Sequence, residues 1–204
     1  MKALEVKARE ADRLHDEHGM YDLSQAELDR MAERCELRWD TVPYRLGEPL
    51  RLPDEDAAEL GLSPAQHAAV DAALQKESAY LVSTIREAYV TLTGDDPQAI
   101  LSVAPSALFD EVEDKTPVEE RRRVYQLLSN ERARGDASRL DAAALAALSP
   151  YERMYRAVTS SGDRLMAALR EAVGPDLARS LRDLHDGFGS RSRSMVGCPG
   201  QGDE

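Results

Sequence analysis

Four helix starts written in one local grammar constrain this chain more than any other feature of it. Ser63-Pro64-Ala65-Gln66, Thr116-Pro117-Val118-Glu119 and Ser149-Pro150-Tyr151-Glu152 each place a hydroxyl before a proline, with Glu or Gln three residues beyond the hydroxyl. Proline suits the first helical position, where its missing N–H is no loss, and the hydroxyl and the third side chain satisfy each other's exposed backbone donors. The fourth start, Ser24 with Glu27, is a capping box flanked by Leu23 and Leu28 as a hydrophobic staple. The residues that follow the four starts do not match one another, so they are not an internal repeat. The chain reads as all-α.

Apolar periodicity between these starts and the Gly and Pro stops predicts helices over 2–18, 25–35, 64–92, 97–102, 105–114, 117–134, 139–148, 150–173 and 176–186. The expected architecture is a helical bundle around a long central helix (64–92), packed by the helices at 117–134 and 150–173. Four regions follow from this: an N-terminal helical arm (1–35), an extended Pro-rich connector (36–62), a helical domain (63–187) and a flexible tail (188–204) rich in Gly, Ser and Pro. In the connector, Cys35, Leu37 and Trp39 alternate with Glu36, Arg38 and Asp40, the one strand-like pattern in the chain. No partner strand is evident, so the segment reads as extended chain whose single Trp packs on the helices. Gly162 lies in the apolar stripe of 150–173 and marks either a kink or a close helix crossing.

Aromatic residues are only 5% of the chain, so its core must be mostly aliphatic, as suits helix packing. The net charge is −12, and the densest basic run, Arg121-Arg122-Arg123, directly follows Glu119 and Glu120. Such a chain is repelled by phosphate backbones, which argues against nucleic acid and against anionic membrane surfaces. No apolar run is long enough to span a membrane. The N-terminal MKALEVKARE has no apolar core of a signal peptide. The expected location is therefore cytoplasmic, or extracytoplasmic (periplasmic) if a signal or anchor has been removed. Cys35 and Cys198 lack the spacing of a zinc knuckle or C-x-x-C redox site, and they could form one disulfide in an oxidising compartment.

The site candidates are few. Val70, Leu74, Leu81, Ile85, Ala88 and Leu92 form one stripe of the long helix, and Glu77 falls inside it. An unpaired buried carboxylate would cost several kcal/mol by order of magnitude, so Glu77 is expected to pair with an arginine at the edge of the helix seam. Two rival readings give it a function. His15 and His18 share a helix face at i,i+3 spacing and, with Glu77, could hold a divalent metal ion. Alternatively, Glu77 serves as the acid or base of a hydrolase-type enzyme. Nucleophile elbows, phosphate loops, H-E-x-x-H and EF-hand motifs are missing from the sequence, and no cofactor is expected.

The stretch LSPAQHAAVDAALQKESAYLVSTIREAY resembles extracytoplasmic helical-hairpin proteins of the Spy/CpxP-like or heavy-metal-resistance sensor type, over residues 62–89. Leu62, Ser63 and Gln66 match the Leu-Thr/Ser-x-x-Gln opening of the long helix in those families. The resemblance implies curved helical hairpins that dimerise and act as chaperones or metal-responsive regulators without catalysis. Together with the patterning, the expectation is a non-catalytic helical interaction or regulatory protein working by protein–protein contact, with a second copy of itself as one partner. The N-terminal face of Leu4, Ala8, Ala11 and Leu14 has little to bury locally and suits such a partner.

Overall fold

In a computed structural model, residues 24–42, 49–134, 140, 142–182, 184 and 191–195 are described. The elements in chain order are α1 (Gln25–Glu33), β1 (Leu37–Thr41), α2 (Asp54–Glu59), α3 (Pro64–Thr93), α4 (Pro105–Lys115), α5 (Val118–Arg134), α6 (Ala142–Ala146), α7 (Pro150–Thr159), α8 (Ser161–Val173), α9 (Pro175–Arg182) and β2 (Arg191–Met195). The fold is all-α, decorated by one short ribbon. The arm helix expected over 2–18 lies outside the described residues.

The central helix α3 is 30 residues long. At its start, Ser63 Oγ accepts the backbone N–H of Gln66, and the Gln66 side chain accepts from the Ser63 N–H. At its end, Gly94 adopts a left-handed conformation (φ 76°) and donates its N–H to Val90 O at 2.8 Å, a termination that a residue without Cβ makes without strain. One face of α3 buries Val70, Leu74, Leu81, Ile85 and Ala88 against α4, α7 and α8. These residues join Val112, Val124, Met154, Val158 and Leu169 in a single core. Leu92, expected in this stripe, is exposed because α3 outruns its neighbours there.

The stretch expected as one helix over 150–173 is broken at Ser160, giving α7 and α8. Three successive hydroxyls cause the break. Thr159 Oγ1 donates to Tyr155 O, Ser160 Oγ to Arg156 O and Ser161 Oγ to Val158 O, at 2.5–2.8 Å. Each competes with backbone N–H groups for the carbonyls of the preceding turn, which bends or interrupts a helix. Gly162 is buried in the first turn of α8, two residues beyond the break.

Three further expectations differ from the structure. The 97–102 stretch is a run of turns rather than a helix, and the connector contains α2, three of whose acids (Asp54, Glu55 and Asp56) sit in the first turn where the helix dipole favours them. Thr116 does not cap the helix after it: its hydroxyl turns back to Val112 O at 2.6 Å, closing α4. Finally, the strand-like connector has a partner. β1 pairs antiparallel with β2, from Leu37 opposite Met195 to Thr41 opposite Arg191, so part of the expected tail is ordered as a strand. β1 lies against α5, α7 and α8, and Trp39 is buried there as the anchor its sequence suggested. Its indole Nε1 has no hydrogen-bond partner among the described residues.

α1 reaches β1 through a tight turn. The Glu36 N–H bonds Met31 O and the Cys35 N–H bonds Ala32 O, the paired reversal that closes a helix on a left-handed residue. That residue is Cys35 (φ 52°), not glycine, and it is fully buried. No helix among the described residues is long and apolar enough to cross a membrane.

Candidate functional site

Glu77 is buried, and Arg164 of α8 is the cation that meets it. Arg164 Nη2 lies 2.5 Å from Glu77 Oε1, and Nε lies 3.0 Å from the same oxygen and 3.3 Å from Oε2. The guanidinium also donates to Ala157 O and to Ser160 Oγ, and its Cζ stands 4.7 Å from the centroid of the Tyr80 ring. The Ser160 break contributes directly, because it turns that hydroxyl toward the guanidinium. Glu77 in this arrangement is paired within the fold; ligating a metal through Oε1 would first require releasing Arg164.

Two more polar groupings lie inside the bundle. On α7, Arg156 is held by Glu152, one turn before it, and by Glu131 of α5, while Arg123 of α5 meets the other oxygen of Glu152 at 2.8 Å. Hydrogen bonding to Glu131, opposed by burial and reinforced by Glu152, raises the Arg156 pKa above its ordinary value. Beside this network, Glu113 of α4 accepts hydrogen bonds from Tyr125 (2.5 Å) and Tyr155 (3.0 Å), whose hydroxyls are 2.8 Å apart. The rings of Tyr125, Tyr151 and Tyr155 pack with centroids 4.7–6.4 Å apart. Burial pushes the Tyr125 hydroxyl up to about 12 and raises Tyr151 and Tyr155 further. All three remain neutral at physiological pH, and the Tyr151 hydroxyl is buried without a hydrogen-bond partner among the described residues. These groups tie helices together, and only Arg123 among them is largely exposed.

The feature open to a ligand lies on a different face of α3. Gln75, Ala79, Val82, Arg86 and Val90 follow one another at spacings of four, three, four and four residues, so they make one ridge along the helix. The ridge is roughly 22 Å long at 1.5 Å per residue. It forms the floor of an open groove of about 790 Å³. One wall is the Pro49–Leu52 segment, the other the turn containing Ile100 and Leu101. Each wall is fixed by a side chain of the floor: Gln75 Nε2 donates to Leu50 O at 3.2 Å, and Arg86 Nη2 to Leu101 O at 2.7 Å. Leu52 is pinned further by Asp71 and His67, which bond its N–H and its carbonyl.

Arg86 of α3 and Arg153 of α7 both line the groove, and the Nε of each is buried without a hydrogen-bond partner among the described residues. Neither guanidinium belongs to an ion pair among the described residues, unlike those of Arg123, Arg132, Arg156 and Arg164. Arg153 also lines a smaller cavity of about 140 Å³, shared with Tyr80, Arg156 and Arg164. The structure thus leaves two half-buried cations facing an apolar channel.

The residues singled out from the sequence are dispersed. Glu77 belongs to the Arg164 pair, and His15, His18 and Cys198 lie outside the described residues. Cys35 is disulfide-bonded and buried at the α1–β1 turn. No group of three or more His, Cys, Asp or Glu placed to hold a metal ion occurs among the described residues. The groove was not anticipated. Its one sequence signal is the second ridge on α3, obscured by Arg86 in the middle of it and by walls that come from elsewhere in the chain. Comparison with protein-family models, curated proteins and solved structures finds no match to the chain.

Proposed function

We propose that this chain is a non-catalytic interaction protein that receives a helix of a partner protein in the groove along α3. The observation carrying this reading is the groove floor. Helix neighbours need apolar or small side chains repeating every three or four residues along a straight axis. Ala79, Val82 and Val90 supply that repeat, with Arg86 between the valines, over about three helical turns. Helix-in-groove recognition uses this geometry, with anchors at i, i+3 or i+4, and i+7 of the bound segment. The buried carboxylates support a binding role over chemistry: Glu77 and Glu152 are engaged by arginines and Glu113 by two tyrosines, so each already serves the packing.

The test is a displayed library of helix-templated 16-residue peptides with the seam positions randomised. It is selected on the full chain and counter-selected on Val82→Asp. Peptides that enrich on the wild type and lose binding on Val82→Asp and Val90→Asp, in variants that melt as the wild type does, are the expected result. Failure to enrich any groove-dependent sequence would sink the reading.

A further inference from the structure

We infer that the helix received by the groove is acidic, and that Arg153 and Arg86 recognise its carboxylates. This rests on the helix-binding reading above and adds the chemistry of the partner. A guanidinium N–H taken out of water without an acceptor is costly, and native interiors leave few such groups. Here two of them border the same channel. Their state is unlike that of Arg156 and Arg164, the other two arginines lining the smaller cavity. Arg164 has Glu77, and Arg156 has both Glu131 and Glu152. The chain carries −12 overall, so it has carboxylates to spare, yet none among the described residues pairs with Arg86 or Arg153.

The positions of the two cations explain what they would read. Arg86 sits within the ridge, between Val82 and Val90, so a partner side chain opposite it lies in the seam of the two helices. Its Nη2 is already committed to Leu101 O, which fixes the guanidinium; Nε is sealed from solvent, so an incoming acceptor meets the Nη1 edge. Arg153 stands where the groove meets the smaller cavity, with Arg156 and Arg164 behind it. The small residues Ser78, Ala79 and Ser83 line the same floor and let a second helix backbone come close. Glu87 also faces the groove, exposed and accepting a hydrogen bond from Ser83. It would repel an acid placed opposite it. The site therefore reads position as well as charge: carboxylates opposite Arg86 and Arg153, and a neutral or basic residue opposite Glu87. A carboxylate–guanidinium contact in a partly dry channel is a strong, geometrically selective hydrogen bond.

The experiment uses a peptide recovered from the display selection, fluorescently labelled and measured by anisotropy against the intact protein. Enriched sequences are expected to carry Asp or Glu at one central seam position, and changing that residue to Gln should weaken binding by about tenfold. Arg153→Gln should abolish the preference for Glu over Gln while leaving the Gln peptide bound as before. Arg153→Lys should restore only part of it, and added salt should weaken the Glu peptide more than its Gln twin. Enriched peptides with no acidic position, or a preference that survives both Arg153→Gln and Arg86→Gln, would overturn this inference and leave the helix-binding reading standing. Failure of every peptide to bind would remove both. Sedimentation shows whether the free protein is dimeric; a dimer dissociated by the peptide would assign the groove to a second copy and overturn the foreign partner.

Discussion

Arg164 meets Glu77 edge-on, with Nε and Nη2 both on Oε1, joining the helix after the Ser160 break to the middle of the longest helix. Glu77 keeps 11% of its side chain exposed and Arg164 33%. Removing either partner strands the other, whereas removing both leaves only a packing change. Glu77→Met and Arg164→Met should each lower unfolding stability by roughly 1–3 kcal/mol, below the figure for a fully buried pair because Arg164 is partly solvated. The double variant should recover most of that loss. Urea denaturation of the four proteins measures the coupling, and simple additivity would show that the pair is not a unit.

The second buried ion network predicts a larger effect at a single position. Arg156→Met leaves Glu152 nearly inaccessible to water, with Arg123 as its remaining cation, and strips Glu131 of its Arg156 contact. A loss of about 3 kcal/mol is expected at neutral pH. Urea denaturation of the two proteins at neutral pH checks the size, and a loss under about 1 kcal/mol would show that Arg123 alone satisfies Glu152.

Alkaline pH should dismantle the tyrosine cluster cooperatively. Burial raises Tyr125 to about 12 from the ordinary 10.0, and Tyr151 and Tyr155 move the same way. A group whose proton is held more tightly when folded contributes stability fully below its unfolded pKa. That contribution is lost as pH rises through the folded value, because the unfolded chain releases the proton first. Stability should therefore fall from about pH 10 upward, with tyrosinate absorbance from these residues appearing together with the loss of helical signal. Ionisation of all seven tyrosines near pH 10 in a protein that stays helical would contradict this.

The cysteines give a chemical test. Cys35 is disulfide-bonded, and the chain's other cysteine is Cys198. In denaturant without reductant, an alkylating agent should label neither thiol and the mass should remain that of a monomer. After reduction both should react. Labelling of Cys198 alone, or a dimer mass that reductant removes, would exclude an intrachain bridge.

How much of this was legible in the sequence depended on how local its cause was. Ser63 and Ser149 do cap the helices that follow them, because a hydroxyl and an N–H three residues apart need nothing from the rest of the fold. Thr116 has the same grammar, yet its hydroxyl is taken by the helix before it, a choice that depends on how α4 ends. The break at Ser160 was obscured because the apolar stripe continues across it. β2 could not be read at all: RSRSM has no apolar alternation and becomes a strand only because Leu37–Thr41 offers an edge. The Glu77 pairing followed from the cost of burying a charge, but the sequence did not name Arg164 among 26 basic residues. The groove needed three distant segments and was out of reach.

The ribbon also sets an order of events during synthesis. Leu37–Thr41 leaves the ribosome well before Arg191–Met195, with most of the bundle's helices made between them. A strand waiting that long for its mate must close a long loop, and until then its edge stays open to other pairings. The newborn protein therefore passes through a stage in which the bundle can form without its ribbon, and the open edge of β1 is closed only when β2 arrives.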